Sequence, residues 1–408
     1  MKYDRQRLLT LRERVSKNAT ECIFPFWTSD YIRDPENGGY YGCVTIDMER
    51  NNSIDRSLVL YGRMVYAFSN AYMTFGNERY LECAKYTFDY LKDKFWDDVY
   101  SGAYSTVSTT GEPANTDKSV YSQAFFVMGC AAYYNACKDP EALELGMKAF
   151  RLIEGTKTAP GVYMSNVARD WTEQLNVTGR IVFPKDTTIF PHHLCQAYEQ
   201  LYIATGDVDV LASLHDLAVF LTGPAFDSEN LCFTTFVGKD GKRVGDRQSL
   251  GHDCEIGYLA YDVAEMVGDP DLTEKMKSNC ETVLRQVLKI GFDEYHGLYN
   301  SYDVSTGVFP EVHTWWVQAE AVMAMLFGYQ LTGDEAFLDA CEGQLDYIEK
   351  YFINEEHGDW YNNIIVDEEG RHIVDGSHGF DKLNAGKCPF HNSHMCFDVI
   401  KRVDKMLG

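Results

Sequence analysis

One punctuation mark returns along this chain, and it restricts the fold more than any other feature. An acidic or polar turn runs into Gly, and an aromatic residue follows one or two positions later. The mark reads DPENGGYYG at 34–42, DDVYSGAY at 97–104, APGVY at 159–163, FDEYHGLY at 292–299 and NEEHGDWY at 354–361. A degenerate copy, FDSENLCF at 226–233, lacks its Gly. Taking Gly39, Gly102, Gly161, Leu231, Gly297 and Gly358 as markers, the successive intervals are 63, 59, 70, 66 and 61 residues. Self-similarity at a fixed period of this size signals stacked supersecondary units.

Each interval holds two helical patterns, as in RSLVLYGRMVYAFSNAYMTF (56–75) followed by NERYLECAKYTFDYLKDKF (77–95). Leu81, Ala84, Phe88 and Leu91 recur at steps of three and four, the spacing of an amphipathic helix face. The Gly-aromatic segments suit short hairpins. A chain of 408 residues exceeds the ~250–300 at which one ordinary core stops growing, so a single domain of this length needs a repeating plan. The expectation is therefore one all-α domain over residues 1–408, an (α/α)6 barrel of six helical hairpins with short β-hairpins in its loops. The inner helices, those carrying polar chemistry in apolar surroundings, are expected at 56–75, 115–137, 187–204, 249–267, 311–331 and 389–406.

Composition narrows the partners. With 61 acidic against 37 basic residues the formal charge is −24, which repels phosphate backbones and anionic lipid surfaces. Nucleic acid and membrane partners are thus not expected. A neutral sugar feels no such penalty, and 14% aromatic residues can line a pocket for one. No window reaches the ~18 apolar residues of a membrane span, and the first 27 residues mix charge with leucine rather than forming a signal peptide. A cytoplasmic location is expected. The 12 cysteines are scattered singly, without Cys-x-x-Cys, and read as reduced core residues. No phosphate-binding Gly-rich loop and no Gly-x-Ser-x-Gly elbow is present.

Five segments could carry chemistry. In SLGHDCEIGY, His252 and Glu255 are three apart and share a helix face, where a carboxylate can orient an imidazole; the same acids also suit a plain helix start. In KCPFHNSHMC, His391 opens a helix, and His394 lies at metal-ligand spacing from it, without a supporting ligand cluster. In FPHHLCQAY, His193 is expected to face the pocket and His192 elsewhere. Tandem Trp315 and Trp316 diverge by about 100° on a helix, so one can face a sugar ring while the other packs outward, and Glu320 lies on the face of Trp316. Arg63, in the apolar stretch YGRMVYAF, requires a carboxylate partner or a polar ligand.

Taken together, NGGYYG, the Arg63 helix, GHDCE, WWVQAEA and KCPFHNSHMC resemble the N-acylglucosamine 2-epimerase family, most closely its cellobiose 2-epimerase branch, in the same order from about residue 20 to 403. The resemblance implies an (α/α)6 barrel and proton transfer at C2 of a reducing aldose through a cis-enediol, without metal or redox cofactor, by a monomer or homodimer. It assigns His252 and His391 as the general acid/base pair and Glu255 as their supporting acid. Arg63 and His193 then surround the reacting hydroxyls, and Trp315 or Trp316 stacks on the sugar. Tyr121, on the 115–137 helix, and Glu320 complete the expected substrate contacts.

Two positions depart from that branch. It usually carries Asn four residues before the histidine matched by His193 and Trp five before the final one, where this chain has Ile189 and Gly386. The departures point away from disaccharide recognition and toward a monosaccharide such as mannose or glucose, with aldose–ketose isomerisation as an alternative outcome. An inverting glycoside hydrolase, drawing on Asp253, Glu255 and Glu320, is the alternative from another class. A noncatalytic sugar-binding barrel is the third.

Overall fold

The computed structural model describes residues 3–172, 188–189, 191–234, 236–237, 247–310, 312–367, 369–374 and 380–408. Twelve helices of 13 residues or more run through them: α1 (Arg5–Lys17), α2 (Leu58–Phe75), α3 (Glu78–Tyr90), α4 (Val120–Cys137), α5 (Pro140–Glu154), α6 (Pro191–Thr205), α7 (Val208–Thr222), α8 (Leu250–Val267), α9 (Pro270–Ile290), α10 (Trp315–Thr332), α11 (Glu335–Tyr347) and α12 (Phe390–Leu407). The even-numbered helices form a closed inner ring. Each packs on the next, and α12 packs on α2 to complete the circuit. Each inner helix also packs on an outer partner, with α1 serving α12. The molecule is an (α/α)6 barrel.

Local sequence explains the two layers. On α9 the buried Met276, Cys280, Val283, Leu284 and Val287 form one stripe, with Lys and Glu on the solvent side, as an outer helix requires. α4 and α10 bury residues on every face, because an inner helix meets the core outside and its neighbours and the lumen inside. Inner helices turn into outer ones through a second repeated mark. A left-handed residue (Gly76, Lys138, Gly206, Gly268 or Gly333) precedes Asn77, Asp139, Asp207, Asp269 or Asp334. Each of those five side chains accepts backbone N–H bonds as the N-cap of the outer helix.

The sequence marks fold as small hairpins beyond the outer helices. Asp34, Asp97, Asp227, Asp293 and Asn354 each accept backbone N–H groups two to four residues on. Leu231 keeps the left-handed backbone of its lost glycine, at φ 55°.

Short antiparallel pairs then stitch the segment entering each inner helix to the loop of the next repeat. Arg56–Ser57 pairs with Thr106–Val107, Lys118–Ser119 with Asn166–Val167, and Thr188–Ile189 with Phe236–Val237. Arg247–Gln248 pairs with Tyr302–Asp303, and Val312–Thr314 with Asn363–Ile365. The sixth stitch, Val44 to Leu383, joins the first loop to the segment that enters the last inner helix. All six inner-helix N-termini are thereby held at one mouth of the ring.

All twelve cysteines are free. Among the described residues no helix is long and apolar enough to cross a membrane.

Candidate active site

The chemistry-bearing residues sit within the first two turns of the inner helices, because the stitches fix where each helix begins. Arg63 is the sixth residue of α2, Tyr121 the second of α4 and His193 the third of α6. His252 and Glu255 are third and sixth on α8, Trp315 and Trp316 first and second on α10, and His391 second on α12. They border one cavity of about 340 Å³, together with Thr314, Asn362, Asn384, Gly386 and Lys387. Six helix N-termini converge there, so their positive dipole ends favour developing negative charge and disfavour imidazolium.

His252 and His391 frame Trp316. The Trp316 ring centroid lies 4.9 Å from that of His252 and 5.5 Å from that of His391. Gly251 makes room for it, since a Cβ there would meet the indole at 2.6 Å. Nδ1 of His252 pairs with Ser249 Oγ at 2.6 Å, and burial pulls this imidazole down to about 3. Nδ1 of His391 lies 2.6 Å from Glu320 Oε1, while Tyr258 donates its hydroxyl to Oε2 at 2.8 Å. Burial, reinforced by Arg63, holds His391 well below the usual imidazole range. Both histidines are therefore neutral at neutral pH, and both border the cavity.

Burial would raise the carboxyl of Glu255, but the adjacent His192 and His193 hold it well below the usual range. His192 Nε2 lies 3.3 Å from Oε2 and His193 Nδ1 3.7 Å from Oε1, and Gln196 donates to Oε1 at 3.4 Å. Arg63 donates to the Tyr121 hydroxyl at 3.2 Å, and its guanidinium lies 4.2 Å from the centroid of Phe125 and 5.0 Å from that of Phe390. Among the described residues no carboxylate stands within ion-pair distance of it, so the partner required on sequence grounds is a ligand or the aromatic sandwich itself.

Several expectations are corrected. Glu320 is fully buried behind His391 and does not border the cavity, so it is not a substrate contact. Trp315 does not pack outward: both tryptophans border the cavity, because the helix starts there and its first turn is all mouth. The orienting partner of His252 Nδ1 is Ser249, one turn back, whereas the Glu255 carboxylate meets the α6 histidines. His394 does not join His391: its Nδ1 pairs with the Tyr66 hydroxyl at 2.7 Å, in a second cavity. Asp253 is fully buried, accepting from Phe233 N and Gln248 Nε2, and is removed from general acid or base work. The Ile189 side chain lies outside the described residues. His193 does face the cavity, with His192 behind it.

Lys387 was missed. Its ammonium is buried on Asp359 and 4.5 Å from the centroid of Trp315, and the only sequence signal was its place in the KCPFH run. Tyr258 was missed because nothing local marks a tyrosine that reaches a carboxylate 62 residues away.

The profile of the N-acylglucosamine 2-epimerase (GlcNAc 2-epimerase) family matches residues 38–181 and 243–383. The chain belongs to this family. Among family relatives, the cellobiose 2-epimerase of Ruminococcus albus is 30% identical over 393 residues, 95% of this chain and 98% of its own. The N-acylglucosamine 2-epimerase of Mus musculus is 22% identical, over 91% of this chain and 88% of its own. The solved cellobiose 2-epimerase of Bacillus thermoamylovorans superposes with a TM-score of 0.88 at 28% identity, covering 96% of this chain and 99% of that one. An α-mannanase of Bacteroides thetaiotaomicron superposes at 0.61 with 11% identity, covering 96% of this chain and 97% of that one, a likeness of fold alone.

Proposed function

We propose that this family member interconverts C2 epimers of a reducing aldose by proton transfer between His252, His391 and the ring-opened sugar. The observation that carries this is the placement of two neutral imidazoles, each against Trp316, in one cavity. One imidazole removes the C2 proton. The C2–H electron pair forms the C1=C2 bond, and the carbonyl oxygen becomes the hydroxyl or oxyanion of a cis-enediol. A proton returned from the opposite face, with the double-bond electrons collapsing back to the carbonyl, gives the epimer. A proton leaves and a proton returns, and C1 and C2 end at the oxidation states they began with, so the step calls for no redox partner.

Arg63 and the converging helix N-termini stabilise the oxyanion. Trp316 supplies the stacking face, and Trp315, Tyr121 and His193 complete the wall. Glu320 acts through His391, and ionised Glu255 favours transient imidazolium. A hydrolase would need two exposed acids, and of its three candidates only Glu255 borders the cavity.

The cellobiose 2-epimerase relatives support a glucose-type aldose as substrate. Gly386 leaves the rim open where that branch carries Trp, which favours a monosaccharide. The same enediol gives a ketose when the proton returns to C1. We further infer one domain over 1–408, a cytoplasmic location and a monomer or homodimer. Incubation with mannose, glucose, N-acetylmannosamine and cellobiose in D2O, followed by NMR, tests the reading. Deuterium at C2 with an epimer is expected; glycosidic cleavage without exchange would replace it with the hydrolase.

A further inference from the structure

His192 takes no part in that proton transfer, yet it is fully buried with Nε2 3.3 Å from Glu255 Oε2. A ring nitrogen of His252 completes a cluster whose three donor atoms lie within 4.8 Å of one another. We propose that His192, Glu255 and His252 form a binding site for a divalent transition ion of the zinc class, and that occupancy switches off proton transfer by His252.

Donor type and spacing both carry this. Two imidazoles and one carboxylate suit zinc, cobalt or copper over calcium or magnesium, which take all-oxygen shells. A tetrahedral ion with bonds of ~2.0–2.1 Å holds neighbouring donors about 3.3 Å apart. His192 and Glu255 stand at that separation already. His252 lies in the first turn of α8 beside the cavity, with a ring nitrogen within 4.8 Å of both other donors. Its Nδ1 faces Ser249 at 2.6 Å, so ligation through Nε2 would keep that contact as the outer hydrogen bond that orients metal-bound histidines. Three protein ligands leave a fourth position open to the cavity for water or a sugar oxygen.

The same wall holds a competing trio, Glu255, Glu320 and His391, of similar compactness. There His391 and Glu320 are bonded to each other at 2.6 Å and Glu320 to Tyr258 at 2.8 Å, so an ion would have to break both contacts. The ion therefore favours the two-histidine side. The excess of acidic residues concentrates divalent cations around the chain.

The test uses the full chain, stripped of metal by a chelator and titrated with cobalt(II) chloride. A saturable, one-to-one visible band of tetrahedral cobalt is expected, displaced by zinc chloride and accompanied by loss of C2 deuterium exchange. His252→Asn and His192→Gln should each weaken the affinity by more than the ~10–100-fold that loss of an outer-shell partner costs, while His394→Asn, in the second cavity, should leave it unchanged. Absence of saturable binding by the unaltered chain at millimolar cobalt overturns the site, as does a band that neither His252→Asn nor His192→Gln weakens. The inhibitory half rests on the role proposed for His252: a bound ion with full exchange overturns that half. A metal-free chain without any C2 exchange overturns the epimerase reading and leaves the metal titration to stand or fall alone.

Discussion

Nδ1 of His391 and Oε1 of Glu320 lie 2.6 Å apart, both buried, at the point where α12 meets α10. Burial, together with the charge of Glu255, pushes the Glu320 carboxyl well above the usual carboxylate range, while burial keeps His391 neutral. The pair thus shares one proton at no net charge. With the shared proton on Glu320, Nε2 of neutral His391 carries its own proton and is the acid; once Nε2 has given that proton to the sugar, Nδ1 takes the one from Glu320 and the bare Nε2 is the base, the pair then carrying one negative charge.

Glu320→Gln preserves the shape but cannot trade that proton. We expect kcat to fall ~100-fold or more with KM changed only a few-fold, since general acid–base contributions run to 10²–10⁴. Steady-state kinetics on the epimerised sugar provide the check, and a kcat within threefold of the parent would remove Glu320 from the mechanism.

Acid should affect stability before it affects chemistry. A histidine of the unfolded chain takes a proton near ~6.5, whereas folded His252 resists until about 3. Between those values the unfolded state holds more protons, so stability is full above about 6.5 and declines as pH falls through the window. Thermal melts at pH 7.5 and 5 should show a smaller loss in His252→Asn than in the parent chain. On the folded enzyme, the acidic limb of kcat/KM should fall below the free-histidine value; a limb at or above it would contradict neutral histidines in the free enzyme.

At the rim, a Cβ built on Gly386 meets nothing nearer than Asn384 Oδ1 at 3.6 Å, and the backbone there needs no glycine. Gly386→Trp should therefore fold normally and offer a second sugar ring a stacking surface. The ratio of kcat/KM for cellobiose over mannose should rise about 10-fold, equivalent to ~1.4 kcal/mol. An unchanged ratio would place disaccharide discrimination elsewhere.

Behind the rim, Asp359 accepts from Lys387 Nζ and, at 2.7 Å, from Asn392 Nδ2, bracketing His391 from both sides. Asp359→Ala strands a buried ammonium and should cost ~3–5 kcal/mol, lowering Tm by about 5 °C. Calorimetric melts measure it directly. Lys387→Met in the same background should recover part of the loss, because the uncompensated charge is gone.

How much of this was legible beforehand varies residue by residue. The Gly-aromatic mark exposes the repeat, whereas the mark at the helical hairpins, Gly–Asp or Gly–Asn at four of them and Lys138–Asp139 at the fifth, is only two residues long and too short to stand out. Leu231 obscured one copy by keeping the backbone state without the residue type that usually announces it. His252 and Glu255 were correctly placed on one face, but spacing along one helix says nothing about what the neighbouring helix presents. Here α6 delivers His192 and His193 to Glu255 and leaves Ser249 to hold His252. The depth of Glu320 is illegible for the same reason: it depends on where α10 starts, and a strand pair with residues 363–365 sets that.

The sequence by itself determined the six-fold repeat, the two-layer helical pattern and the residue types able to handle a sugar proton, because hydrophobic period and turn chemistry are local. Only the tertiary structure decided which of those residues meet. The Val44–Leu383 bridge and the packing of α12 on α2 close the ring, and closure brings Arg63 and His391, separated by most of the chain, to one mouth. Contacts across the ring also set the charge states there, since burial and neighbouring charges depend on distances that no local pattern encodes.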